Sequence, residues 1–280
     1  MLLSLEKEQT QIRKAASKFA TGEIAEHALE WDAAAGVPSH AIENAIELGF
    51  VGMTLPEKHG GAGLGLLEDC LVTEEFATAS PGGARAILEL GWGGELLSLV
   101  DDLPSPVKDG ISRRPMLGLA LPREGVFSLP EECADFSATF SFVHRDAELY
   151  LIPGLFKGED GIFYLKPDAS GLGIVPFENK LGLRSWPGAQ LELRGASLSE
   201  RCFLKCPRAV ARSRQAQAIR TGALGLGLAR GAALLALAYA RGRMIFNQSL
   251  LDFEATKAKF FKAWQHLQAA RLSIYEAASD

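Results

Sequence analysis

Apolar residues in the first hundred positions recur at helical steps. Ile12, Ala15, Ala16 and Phe19 share one helix face, and Leu66, Leu67, Cys70 and Leu71 share another. Pro38 and Ser39 suit a helix start, with Gly49 as its stop. The stretch "PEKHGGAG" that follows predicts a shaped loop through Pro56, Gly60, Gly61 and Gly63. The next helix carries the adjacent acids Glu74 and Glu75. "GWGGELLSLV" predicts a further helix entered through glycines.

The texture changes near Pro104, where "DDLPSPVKDG" has the composition of a linker. Beyond it "FSATFSFV" alternates. Phe136, Ala138, Phe140 and Phe142 are predicted to face one way, Ser137, Thr139 and Ser141 the other. "ELYLIPGL", "GIFYLK", "LGIVPF" and "AQLELRG" continue with turn residues between them, which predicts an all-β unit, a barrel or sandwich. Helix returns after Pro207. "RTGALGLGLARGAALLALAYARGR" is apolar nearly all round and belongs inside a bundle, with glycines that allow close approach of neighbours. A last helix places Phe253, Phe260, Trp264, Leu267 and Ala270 on one stripe. Two helices do not close a core, so this bundle is expected to be incomplete and to need more helices. The expected organisation is α+β multidomain: an all-α unit over 1–103, a β unit over 110–206 and a helical bundle over 207–280.

Composition narrows the chemistry. With 48% hydrophobic and 22% charged residues and a net charge of −5, the chain reads as soluble, with no general affinity for nucleic acid. The first twenty residues lack a basic region, a long apolar run and a small-residue cleavage site, so a cytoplasmic protein without a membrane span is expected. Cys70, Cys133, Cys202 and Cys206 lack zinc-ligand spacing and read as reduced thiols in apolar space. His59 reads as a turn residue. No phosphate-binding loop, Ser-His-Asp pattern or CxxC cluster is present.

The order helices, β unit, helices resembles the acyl-CoA dehydrogenase family. "GMTLPEKHGGAGLGLLEDCLVTEEFA" is similar to that family's P-E-x-x-G-G-x-G-L loop and E-E-L-A helix. "KLGLRSWPGAQLEL" resembles its K-L-G-x-R-x-S strand, and "YARGRMIFNQSLLDF" its Y-A-x-x-R-x-x-F-G segment. The resemblance implies an FAD enzyme that oxidises an acyl-CoA thioester to the 2-enoyl thioester. A carboxylate takes the α-proton while the β-hydride passes to flavin. It also implies dimers or tetramers formed through the C-terminal bundle.

Residue by residue the implied site is uneven. Arg243 and Phe246 match the R-x-x-F motif, whose Arg reaches the FAD pyrophosphate of a neighbouring subunit. A surface Arg closing a helix accounts for Arg243 equally well. The A-L-T-E-P strand of the family is "GLALP" here, with Ala120 at the Thr and Leu121 at the Glu. The strand expected against the flavin offers Phe142 and His144 without a matching Thr. One of the family's two base positions falls at or beside Gln217, and no Asp or Glu occurs between Glu200 and Asp252. That segment instead carries arginines, including Arg212, Arg220 and Arg230, most of which read as solvated. No catalytic residue is therefore assigned. The expectation is a dehydrogenase-like subunit inactive alone, associating with itself or with a fuller homologue. The alternative is a non-catalytic interaction scaffold.

Overall fold

The computed structural model describes residues 5–112, 114–131 and 133–279. Helix α1 (Lys7–Phe19) begins where the Glu6 amide donates to the Gln9 side chain. It runs through a π turn at Ala20–Ile24 into α2 (Ala25–Ala34). Pro38 precedes α3 (Ser39–Glu47), and Gly49 ends it at φ +77°. The Gly-rich loop then folds back on Leu55. A side chain at Gly61 would strike the Leu55 carbonyl, which explains that glycine. Helix α4 (Leu66–Ala79) starts with the Glu68 carboxylate accepting from the Gly65 amide, and α5 (Pro81–Leu88) with Ser80 Oγ accepting from Gly83.

Helix α6 (Gly94–Leu97) is shorter than expected from "GWGGELLSLV". The expected linker also differs, since Ser105–Ser112 forms α7. Val107 and Ile111 lie four residues apart and are buried, so a helix covers them better than an extended linker.

Two sheets follow. In the first, β1 (Leu117–Leu119), β4 (Leu149–Phe156), β5 (Glu159–Leu165) and β8 (Phe203–Lys205) lie in that order, with β2 (Ser128–Leu129) also beside β4. In the second, β7 (Gly188–Leu198) lies between β3 (Cys133–His144) and β6 (Leu172–Pro176). This is the sandwich form of the expected β unit. Phe127, Phe140, Phe163 and Phe203 fill its interior, with Phe127 edge-on to both Phe140 and Phe163 at 5.3 Å.

Helix α8 (Ala209–Gly242) starts with the Asp160 carboxylate accepting from the Val210 amide. A hairpin of β9 (Met244–Ile245) and β10 (Gln248–Ser249) leads to α9 (Glu254–Ser279). Both helices pack on α4 and on each other. Gly227 and Gly231 let the α8 backbone approach α4, since a Cβ on Gly231 would lie 2.4 Å from the Thr78 carbonyl oxygen. The expected burial of α8 holds on that side only. Leu235, Tyr239, Phe261 and Trp264 stay exposed on the two helices. Trp264 thus leaves the expected stripe, and the buried positions of α9 are Leu267, Tyr275 and Ala278.

Candidate functional site

Arg243 and Phe246 lie at the end of α8, where the chain must reverse. Ile245 pairs with Gln248 and Met244 with Ser249, which leaves Phe246 and Asn247 as a two-residue turn. Both have positive φ, +49° and +63°, as a type I′ hairpin requires. Ser249 Oγ donates to the Ala240 carbonyl at 2.9 Å and holds the hairpin against the helix end. Phe246 is 90% exposed at the tip. Arg243 is exposed beside it, without an ion-pair partner among the described residues.

The strand residues singled out in the sequence lie elsewhere. Ala120 is buried and its amide donates to the Leu151 carbonyl at 2.9 Å, so it presents only a methyl group. Leu121 is half-buried against an apolar cluster. His144 is buried. Its Nε2 lies 3.0 Å from the Ala86 carbonyl oxygen, and its Nδ1 accepts from the Asp146 amide, so the ring is held neutral with its proton on Nε2. Burial pushes its pKa down to about 4.

Phe142 departs from the expected alternation. The β3–β7 register shifts between Phe140 and Val143, and Phe142 sits at φ +64°. This bulge turns its ring outward, 56% exposed, while Val143 takes the buried place. The Phe142 ring meets Phe177 at 5.5 Å and Trp186 at 6.5 Å, around a cavity of about 370 Å³. Arg85 stacks on Trp186 with its guanidinium carbon 3.7 Å from the ring centre. Behind them Glu89 is buried. It accepts from Trp186 Nε1 and from Arg85 Nε and Nη2. Burial raises its pKa, against the opposing pull of Arg85 and Trp186. Lys180 Nζ donates to the carbonyls of Leu183, Arg184 and Trp186, which ties down the loop carrying Leu181.

Most of the basic run is solvated as expected, Arg208, Arg214 and Arg241 among them, but three arginines of α8 are held by acids. Arg220 is 1% exposed, with Nε 2.6 Å from Asp69 Oδ2 and Nη2 3.1 Å from Glu95 Oε2. Arg212 takes the other Glu95 oxygen at 2.5 Å. Arg230 bridges Glu74 and Glu75 at 3.2 and 2.8 Å. Glu74 also accepts from Arg271 and Tyr275 of α9, and Glu75 from Arg13 of α1. Burial works to raise the Glu74 pKa, yet the hydrogen bonds from Arg271 and Tyr275 outweigh it and the net shift is downward. The paired acids of α4 are thus ion-pair partners of three other helices. Periodicity could not reveal them, because their partners are distant in sequence. Gln217 lies one turn before Thr221, whose hydroxyl donates to its carbonyl at 2.7 Å. Trp92 and Arg220 fill the space near α4, with the guanidinium carbon 5.7 Å from the Trp92 ring centre.

By length and composition α8 could cross a membrane, but here it binds α4 through Arg220 and Arg230. No cluster of potential metal ligands occurs among the described residues. Cys70 and Cys206 are buried thiols and Cys202 Sγ donates to the Ser199 carbonyl, while the side chain of Cys133 lies outside the described residues.

Comparison with known proteins fits this architecture. The family model described as "Acyl-CoA dehydrogenase, N-terminal domain" matches residues 6–96, and that described as "Acyl-CoA dehydrogenase, C-terminal domain" matches residues 209–280. The probable acyl-CoA dehydrogenase FadE25 of Mycobacterium tuberculosis is 27% identical over an alignment covering 99% of this chain and 78% of that protein. The fold is shared with butyryl-CoA dehydrogenase from Megasphaera elsdenii. Its TM-score is 0.84 at 20% identity, covering 100% of this chain and 80% of that one. It is shared also with a glutaryl-CoA dehydrogenase from Mycobacterium smegmatis in complex with FADH2. There the TM-score is 0.81 at 17% identity, covering 97% of this chain and 75% of that one. With both helical parts matched by models of one family and the sheets between them aligned throughout, the chain belongs to the acyl-CoA dehydrogenase family.

Proposed function

We propose that this chain is a partner-dependent subunit of a cytoplasmic acyl-CoA-oxidising assembly and does not dehydrogenate a thioester alone. The observation that carries this reading is the trio Ala120, Leu121 and Phe142. On the strands expected to face a flavin, the chain offers a methyl group, an isobutyl group and an outward-turned ring. None can hydrogen-bond an isoalloxazine edge. The base position at Gln217 holds an amide, which cannot accept a proton as a carboxylate does. Glu89, the carboxylate behind Trp186, is already engaged by Arg85 and Trp186.

FAD remains the cofactor that family membership implies. When bound, it supplies the hydride acceptor. The residues along β1 and β3 do not fit it, whereas Arg243 and Phe246 do fit a role at the edge of a flavin held by a neighbouring subunit. They are exposed, adjacent and held on a short hairpin. A guanidinium there suits a pyrophosphate. The open apolar face of α8 and α9, with Leu235 and Trp264 exposed, supports association with a second chain.

The test is the visible spectrum and native mass of the purified chain, with turnover of acyl-CoA thioesters on an artificial electron acceptor. A colourless, inactive protein that gains activity with a fuller homologue is expected. Bound flavin at one per chain with turnover by the isolated chain would reject the reading.

A further inference from the structure

Where family membership implies flavin contacts, β3 borders a cavity of a different character. Phe142, Phe177 and Trp186 lie 5.5 to 6.5 Å from one another around about 370 Å³. Phe142 and Trp186 are within 22° of parallel, so a flat guest can lie against both. A cavity of roughly 150 Å³ already holds a benzene ring, so this one takes an aryl group with a short side chain. Phe142 reaches its place through strained backbone. Its φ of +64° is one that a bulky residue rarely adopts, and its ring is 56% exposed while Val143 beside it is buried. The bulge thus holds an apolar ring open to water, and a guest in the cavity would cover it.

The charged groups lining the cavity specify what else the guest carries. Arg85 is held rigidly, with Nε and Nη2 donating to Glu89 and its guanidinium stacked on Trp186. Its Nη1 has no partner among the described residues. Lys180 Nζ donates to the carbonyls of Leu183, Arg184 and Trp186, so no acid in contact offsets its charge. A fixed guanidinium with a free nitrogen, beside a second cation, favours a carboxylate. Glu178 is exposed and without a partner among the described residues, and it opposes a second carboxylate.

We propose that the cavity binds a small aromatic monocarboxylate, its ring among Phe142, Phe177 and Trp186 and its carboxylate on Arg85 Nη1. This goes beyond the proposed function, which assigns no ligand to the cavity and holds whether or not one binds. The rings supply the contact area and Arg85 the orientation, as in ligand sites where a few polar groups direct a largely apolar pocket.

Titration calorimetry of the full chain with 3-phenylpropanoate tests it, beside 3-phenylpropanamide and hexanoate. The aryl acid should bind at least tenfold more tightly than either. Phe142→Asn removes the ring, and asparagine tolerates the left-handed backbone, so the fold should be kept and the aryl acid weakened at least tenfold. Arg85→Met alone would strand Glu89, so it is combined with Glu89→Gln, whose amide oxygen can still accept from Trp186. That double variant should bind acid and amide alike. An aryl acid that does not bind at millimolar concentration, or binds no more tightly than the amide or hexanoate, would overturn the inference. So would binding indifferent to Phe142→Asn, or a double variant that still prefers the acid. Flavin content and turnover are measured without the acid and decide the proposed function separately. A colourless, inactive chain that ignores 3-phenylpropanoate would remove this inference alone.

Discussion

The guanidinium of Arg220 and the carboxylate of Asp69 meet 2.6 Å apart, with both side chains out of water, although they stand 151 positions apart in the chain. The pair fixes α8 against α4. Removing Arg220 alone strands the buried Asp69 carboxylate, whereas removing both leaves only Glu95, which keeps Arg212 as its partner. Arg220→Met should therefore destabilise the protein by about 3–5 kcal/mol, and Arg220→Met with Asp69→Leu by clearly less. Urea unfolding at neutral pH measures both, and equal losses would refute the pairing as the cause.

Glu74 gives a pH-dependent counterpart. Its native pKa lies below the ordinary 4.5. Its contribution is therefore complete above that value and is lost as pH falls through the native pKa. Glu74→Gln should be markedly less stable than wild type at pH 7, with the gap closing toward pH 3. A gap that stays constant with pH would show that ionisation is not involved.

His144 acts in a neighbouring window. Its native pKa is about 4 against 6.5 for an ordinary imidazole. Between those values the unfolded chain binds the extra proton, so stability falls as pH drops from 6.5 toward 4. The loss is on the order of 3 kcal/mol. His144→Gln should flatten that part of the stability profile. An unchanged slope in the variant would assign the effect to other groups.

The glycines of α8 should respond with opposite signs. A methyl group at Gly231 meets the Thr78 carbonyl, whereas one at Gly225 meets nothing within 4 Å. Gly231→Ala should cost about 1–3 kcal/mol through overpacking. Gly225→Ala should stabilise by up to about 1 kcal/mol through helix propensity. Thermal melts of the two variants decide it, and a shared sign would show that packing does not separate them.

Periodicity and turn residues were sufficient for α1, α3, α4 and the strands from Leu149 to Leu198, because local side-chain spacing determines those elements. They failed where a long-range constraint prevails. Val107 and Ile111 turn the expected linker into a helix because a neighbouring core accepts them. Phe142 leaves the alternation because β3 bulges against β7. Arg220 looked like a surface residue because an arginine on an apolar helix carries no local sign of an acid waiting on α4. At the candidate site, Arg243 and Phe246 were legible as a motif. The Arg85–Glu89–Trp186 cluster was not, since it joins α5 to a loop almost a hundred residues later.

The acids of α4 also bear on how the molecule can be divided. Glu74 and Glu75 clasp Arg13 on one side and Arg230 and Arg271 on the other. The helices before and after the sheets are therefore one body, and the β-sandwich is an insert within it. A protease nick between Cys206 and Ala209 would leave two fragments still gripping each other. Either fragment made alone would carry bare like charges where the other should sit.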